Sequence, residues 1–117
     1  MARRLLIANG QLGASSASIT TGPSDDGQRV TIVLTNTSEK EQDIYLFISV
    51  NGGTNRQLPK ATLKEDETAI LDGIPLTSAD TLKGYSTNAE AVDYLVWIAP
   101  DDQPFSVYGV SEVGATK

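Results

Sequence analysis

The residues able to do chemistry in this chain are carboxylates, and they come in adjacent groups: Asp25-Asp26, Glu65-Asp66-Glu67 and Asp101-Asp102. An all-oxygen calcium site is the chemistry such groups offer. None of them has the alternating spacing, closed by a bidentate carboxylate, with which a calcium loop wraps its ion. Loop solvation is the reading the spacing favours. Paired acids also cleave glycosides, but a chain with fifteen Asp and Glu holds such pairs by chance. Sugar clefts also present several aromatic rings, and the chain has one Trp. There is no His and no Cys. That removes the commonest general base, the Ser-His pair and metal sites built on imidazole or thiolate. It also removes disulfides, which speaks against a secreted, disulfide-stapled domain. A phosphate cradle needs its glycines between a strand and a helix. Gly52-Gly53 stands between two strand-like runs, so a hairpin is the better reading. No catalytic residue, cofactor or metal ligand is expected, and the chain reads as a non-enzyme.

The elements that would carry these loops are short strands. Thr68–Leu71, Thr81–Tyr85 and Val92–Ile98 are apolar runs. They are separated by Asp72-Gly73, by Thr77-Ser78-Ala79-Asp80 and by Ser86-Thr87-Asn88, all turn chemistry. Earlier come Arg3–Gly10, a weak strand at Ala17–Thr21, and a loop from Gly22 to Gly27. Arg29–Asn36 is a strong strand, with Val30, Ile32 and Leu34 on one face. Asp43–Val50 puts Ile44, Leu46, Ile48 and Val50 on one face and Tyr45, Phe47 and Ser49 on the other. Asn51-Gly52-Gly53 is the clearest hairpin signal, since Asn and Gly tolerate the positive φ of a tight turn. Arg56–Leu63 returns, and Pro59 marks it as an edge or irregular strand. Phe105–Val113 is the last strand, and Ser86–Ala91 has the makings of a short helical turn. About eight strands with a turn signal every ten residues or so predict an all-β chain: a single antiparallel β-sandwich or barrel. Residues 1–15 read as an N-terminal arm and first strand, 16–113 as the sandwich domain and 114–117 as a tail.

A chain of 117 residues is one domain, able to bury roughly 65% of its unfolded surface. Nine Lys and Arg against fifteen Asp and Glu leave a net charge of −6. That balance argues against nucleic acid as a partner, which demands clustered cations. No apolar run approaches the ~20 residues of a membrane helix, and Leu5–Ala8 is too short for the core of a signal peptide. The expectation is synthesis in the cytoplasm, no export by the usual route and no membrane partner. Arg3-Arg4 is the sole basic pair, either a solvated terminus or an arm that touches an acidic neighbour.

The aromatic residues carry the best hint of function. Trp97 and Leu95 share one face of their strand, while Tyr94, Val96 and Ile98 share the other, so both faces are apolar. Asp43–Val50 has the same two-sided character. An isolated sandwich needs only one buried face per sheet. A second apolar face points to another subunit or a larger surface; the alternative is internal covering by loops. Tyr45, Phe47, Leu95 and Trp97 are the candidate contact residues if their face is the outward one, with Arg3, Arg4 and Leu5 reaching out from the N-terminus.

Five pieces of the chain resemble small structural proteins of tailed bacteriophages: Leu34-Thr35-Asn36-Thr37-Ser38, Val50-Asn51-Gly52-Gly53, the run from Glu67 to Leu76, the run from Ser78 to Gly84, and the run from Ser86 to Tyr94. The similarity spans about residues 28–98 and consists of turns and strand ends, so it speaks for fold more than for role. It implies a jelly-roll-like sandwich in a virion, and a head decoration (cement) protein that binds the outer surface of the capsid. The implied partners are the major capsid protein and the chain itself, as a homotrimer. A tail, neck or head-fibre component is the alternative within that resemblance. A carbohydrate-binding sandwich, which would need an exposed aromatic platform, is the alternative outside it. The resemblance transfers no catalytic residue. With little chain after residue 113, a receptor-binding tip is not favoured.

Overall fold

In a computed structural model of the chain, residues 6–22, 27–99 and 104–109 are described. They form ten strands: β1 (Leu6–Gln11), β2 (Ala17–Thr21), β3 (Gln28–Asn36), β4 (Gln42–Ser49), β5 (Asn55–Gln57), β6 (Ala61–Leu63), β7 (Thr68–Leu76), β8 (Thr81–Ser86), β9 (Val92–Ala99) and β10 (Ser106–Gly109). Two antiparallel sheets result, one in the order β1-β9-β3-β7-β10 and the other β2-β8-β4-β5, with β6 also paired to β4. The order is that of one long hairpin rolled up. β4 pairs with β5 and β6, β3 with β7, β2 with β8, and β1 with β9. Rolling then brings β9 beside β3 and β8 beside β4. That is a jelly roll. The ten strands exceed the expected count of about eight; β5 and β6 are halves of the one irregular strand expected there, and β10 lies within the expected last strand.

The core lies between the sheets and follows the alternation. Val30, Ile32 and Leu34 from β3, Leu71, Ile74 and Leu76 from β7, and Val92 and Val96 from β9 meet Ile44 and Leu46 from β4, Leu63 from β6 and Leu82 from β8. All are at most 2% exposed, and each contributes on the order of 2 kcal/mol by leaving water.

Three local expectations need correction. Asp72-Gly73 does not end a strand. Val30 pairs with Ile74 and Ile32 with Leu71, so two residues of β7 face Thr31 alone. Gly73, at φ 75°, makes this a β-bulge. Thr31 Oγ1 donates to Asp72 Oδ1 at 2.5 Å and Arg29 Nη1 to the Gly73 carbonyl at 2.9 Å, so neighbouring β3 side chains hold the bulge. The stretch Arg56–Leu63 is irregular, as Pro59 suggests: it breaks into β5 and β6 around Leu58-Pro59-Lys60. Val50 leaves its strand and is 44% exposed, while Ser49 is buried in its place. Ser86–Ala91 forms no helix; Asn88 N donates to Gln42 Oε1 and Gln42 Nε2 returns a bond to Asn88 Oδ1.

The hairpin at Asn51 is a tight type I′ turn. Asn51 has φ 52° and ψ 37°, Gly52 has φ 70°, and Gly53 N donates to the Val50 carbonyl at 2.9 Å. The turn is tied to the β7–β8 loop by Asp80. Its carboxylate accepts from Asn51 N at 3.1 Å, from Thr77 N at 3.0 Å and from Thr77 Oγ1 at 3.2 Å. Those backbone donors, Thr77 first and then Asn51, hold the Asp80 carboxyl below its ordinary pKa.

Candidate functional site

The outer face of the β2-β8-β4-β5 sheet carries a row of rings. Tyr45 on β4 lies directly opposite Tyr85 on β8. Their centroids are 4.9 Å apart with planes 23° from parallel. Phe47, two residues along β4, stacks on the same Tyr85 at 6.0 Å and 17°. Lys60 places Nζ 5.5 Å from the Tyr45 ring centroid and 3.8 Å from Asp43 Oδ2, and Thr62 Oγ1 donates to Asp43 Oδ1 at 2.8 Å. Each aromatic pair adds about 1 kcal/mol beyond its buried area, and the exposed Lys60 contact about 0.5 kcal/mol. All three rings are half-buried. Their stacking turns ring faces toward one another, which leaves edges for solvent. Lys83 stands across from Phe47 and completes a face that is apolar at its centre and cationic at two margins.

The outer face of the β1-β9-β3-β7-β10 sheet carries a second patch. Leu6 on β1 pairs with Trp97 on β9, and Leu95 pairs with Val33 on β3, which pairs with Ile70 on β7. Leu6 is 53% and Leu95 43% exposed. Beside this apolar row runs a hydrogen-bonded one. Gln11 Nε2 donates to Asp93 Oδ1 at 2.9 Å, and the Thr35 and Thr68 hydroxyls meet at 3.1 Å. The two rows flank a shallow depression of about 450 Å³. The indole Nε1 of Trp97 is buried with no hydrogen-bond partner among the described residues.

Tyr45, Phe47, Leu95 and Trp97 therefore do point outward, but the fold splits them: Tyr45 and Phe47 on one outer face, Leu95 and Trp97 on the opposite one. A single contact surface containing all four does not exist. Arg3, Arg4 and Leu5 lie outside the described residues, as do Asp25-Asp26 and Asp101-Asp102. Tyr85 and Lys60 belong to the same cluster as Tyr45 and Phe47 and were not singled out from the sequence. Tyr85 shares the outward face of β8 with Lys83, alternating with the buried Leu82, Gly84 and Ser86, but its stacking depends on a β4–β8 register that no local pattern encodes.

Among the described residues no three carboxylates converge on a common point. Glu67 spends Oε1 on Lys64 N at 2.7 Å. Asn36-Thr37-Ser38 has the form of a glycosylation acceptor, but Asn36 is fully buried. Its Nδ2 donates to the carbonyls of Lys40 and Leu63, and its Oδ1 accepts from Ser38 N and Ser38 Oγ. Every position on that amide is used, so the tripeptide is a joint of the fold. No described helix is long and apolar enough to cross a membrane. Comparison with protein-family models, with curated proteins and with solved structures returns no match.

Proposed function

We propose that this chain is a structural protein of a tailed-bacteriophage virion: a decoration (cement) protein that binds the outer surface of the capsid and stabilises the head. The observation that carries the reading is the pair of apolar patches on opposite outer faces. A sandwich standing alone needs neither, because its core is complete between the sheets. A subunit held between a sister copy and a shell needs both. The jelly-roll order and the turn wording shared with small phage proteins support the same reading. The mechanism is interface physics. Each copy would bury on the order of 800 Å² against its neighbours, and many symmetric copies would resist expansion of the shell through avidity. The major capsid protein is the proposed partner, with a homotrimer as the proposed form of the bound protein.

Imaging of purified particles with this protein counted is the test. Occupancy that follows the capsid lattice supports decoration. Occupancy confined to the portal axis would replace it with a tail, neck or head-fibre role. A glycan-binding role would require open ring faces, and the mutual stacking of Tyr45, Tyr85 and Phe47 takes up part of them.

A further inference from the structure

We propose that Asn51 is a site of spontaneous deamidation, and that the Asp80 carboxylate controls how fast it reacts. Asn51 is exposed and is followed by Gly52, whose lack of a side chain leaves its backbone nitrogen unhindered. In the reaction a base in solution takes the proton from Gly52 N. That nitrogen attacks Cγ of Asn51, the Cγ–Nδ2 bond breaks, and the amide leaves as ammonia. Water then opens the five-membered imide at either carbonyl, which yields aspartate or isoaspartate. The net change is one water consumed and one ammonia released.

The folded turn opposes this step. A five-membered ring needs Gly52 N nearly eclipsed with Cβ of Asn51 about the Cα–C bond. At ψ 37°, tetrahedral geometry at Cα puts the nitrogen nearly opposite Cβ instead. Reaction therefore waits for Asn51 to leave the turn. Two bonds keep it there: Gly53 N to the Val50 carbonyl at 2.9 Å, and Asn51 N to Asp80 Oδ1 at 3.1 Å. The second comes from another part of the chain and is charge-assisted, so it is the stronger restraint. Conversion has a structural consequence as well. Aspartate at residue 51 sets a second carboxylate near that of Asp80, and isoaspartate adds a methylene to a turn whose two central residues must both sit at positive φ. Either product loosens the tie between the β4–β5 hairpin and the β7–β8 loop.

The test is to incubate the full chain at mildly alkaline pH and follow residue 51 by peptide mass spectrometry with isoaspartate detection. The parent converts slowly, the urea-unfolded chain at least several-fold faster, and Asp80→Ala several-fold faster than the parent while still folded by circular dichroism. Gly52→Ala, read in urea so that its own folding is irrelevant, converts several-fold more slowly than the unfolded parent. An Asp80→Ala rate equal to that of the folded parent would overturn the restraint. Conversion at other asparagines with none at Asn51 in the unfolded chain would overturn the site. If Asp80→Ala fails to fold, Asp80→Asn takes its place, with an intermediate rate expected and an unchanged one counting against the proposal.

Discussion

Trp97 carries a cost that its neighbours do not share. Its ring supplies area to the outer patch while its Nε1 is buried and unbonded among the described residues, and an unsatisfied donor costs roughly 1–3 kcal/mol. Trp97→Phe removes that donor and keeps most of the aromatic surface. The variant is expected to match the parent's urea-unfolding free energy within about 1 kcal/mol, whereas Trp97→Ala should lose about 2 kcal/mol or more. A loss for Phe as large as for Ala would show that the indole nitrogen is satisfied in solution. Asp80 has the opposite character, a partly exposed carboxylate that accepts from Asn51 N, Thr77 N and Thr77 Oγ1. Its folded pKa lies below its unfolded value, so the unfolded chain binds the proton first as pH falls. Its contribution is full above the ordinary carboxylate range and fades as pH drops through the folded value. Asp80→Asn should therefore lower stability at neutral pH and less so near about pH 3, as read from urea midpoints. An equal loss at both pH values would remove the charge from the explanation.

Between β2 and β4, β8 fits only because residue 84 has no side chain. A Cβ there would stand 2.6 Å from Leu46 Cδ2 and 2.9 Å from the Tyr45 carbonyl oxygen. Backbone cannot yield as a side-chain tip can, so Gly84→Ala is expected to destabilise by about 2 kcal/mol, seen as a lower urea midpoint with unchanged slope. An unaltered midpoint would mean that the strands have room to part. At this scale the sequence is legible where one rule decides. Period-two alternation located β3 and β4, and apolar runs between turn signals located β8 and β9, to within a residue or two; Asn51-Gly52 announced its turn because few other pairs tolerate two positive φ values in succession. It misled at Asp72-Gly73 because the same residues suit a turn and a bulge. Which one forms depends on Arg29 and Thr31 waiting on the neighbouring strand. Whether the candidate contact residues face outward is left open by alternation, both faces of their strands being apolar; only the sharing of a face by Tyr45 with Phe47 and by Leu95 with Trp97 was legible. Their division between two faces was not, since that follows from which sheet each strand joins.

Taken whole, a sandwich with apolar patches on opposite faces has restricted choices of assembly. Joining one patch to the other head to tail propagates a stack and does not close a ring. Under the proposed function, a closed trimer of this chain would use one patch or a strand edge and leave the other patch for the shell. Leu95→Lys and Phe47→Lys are expected to separate these roles. One should lower the oligomer mass by light scattering, and the other should lower occupancy on particles at unchanged mass. Two variants that behave alike in both assays would dissolve the division. The rolled-up hairpin has one more consequence, in time and not in space. β1 is made first but finds its partner only in β9, and β3 waits for β7 and β9. Loop closure over such separations is slow, and folds of this kind take milliseconds to seconds. The chain must therefore carry its apolar strands unpaired through most of its synthesis. The β4–β5 hairpin, nucleated at Asn51, is the first strand pair that can form along the way.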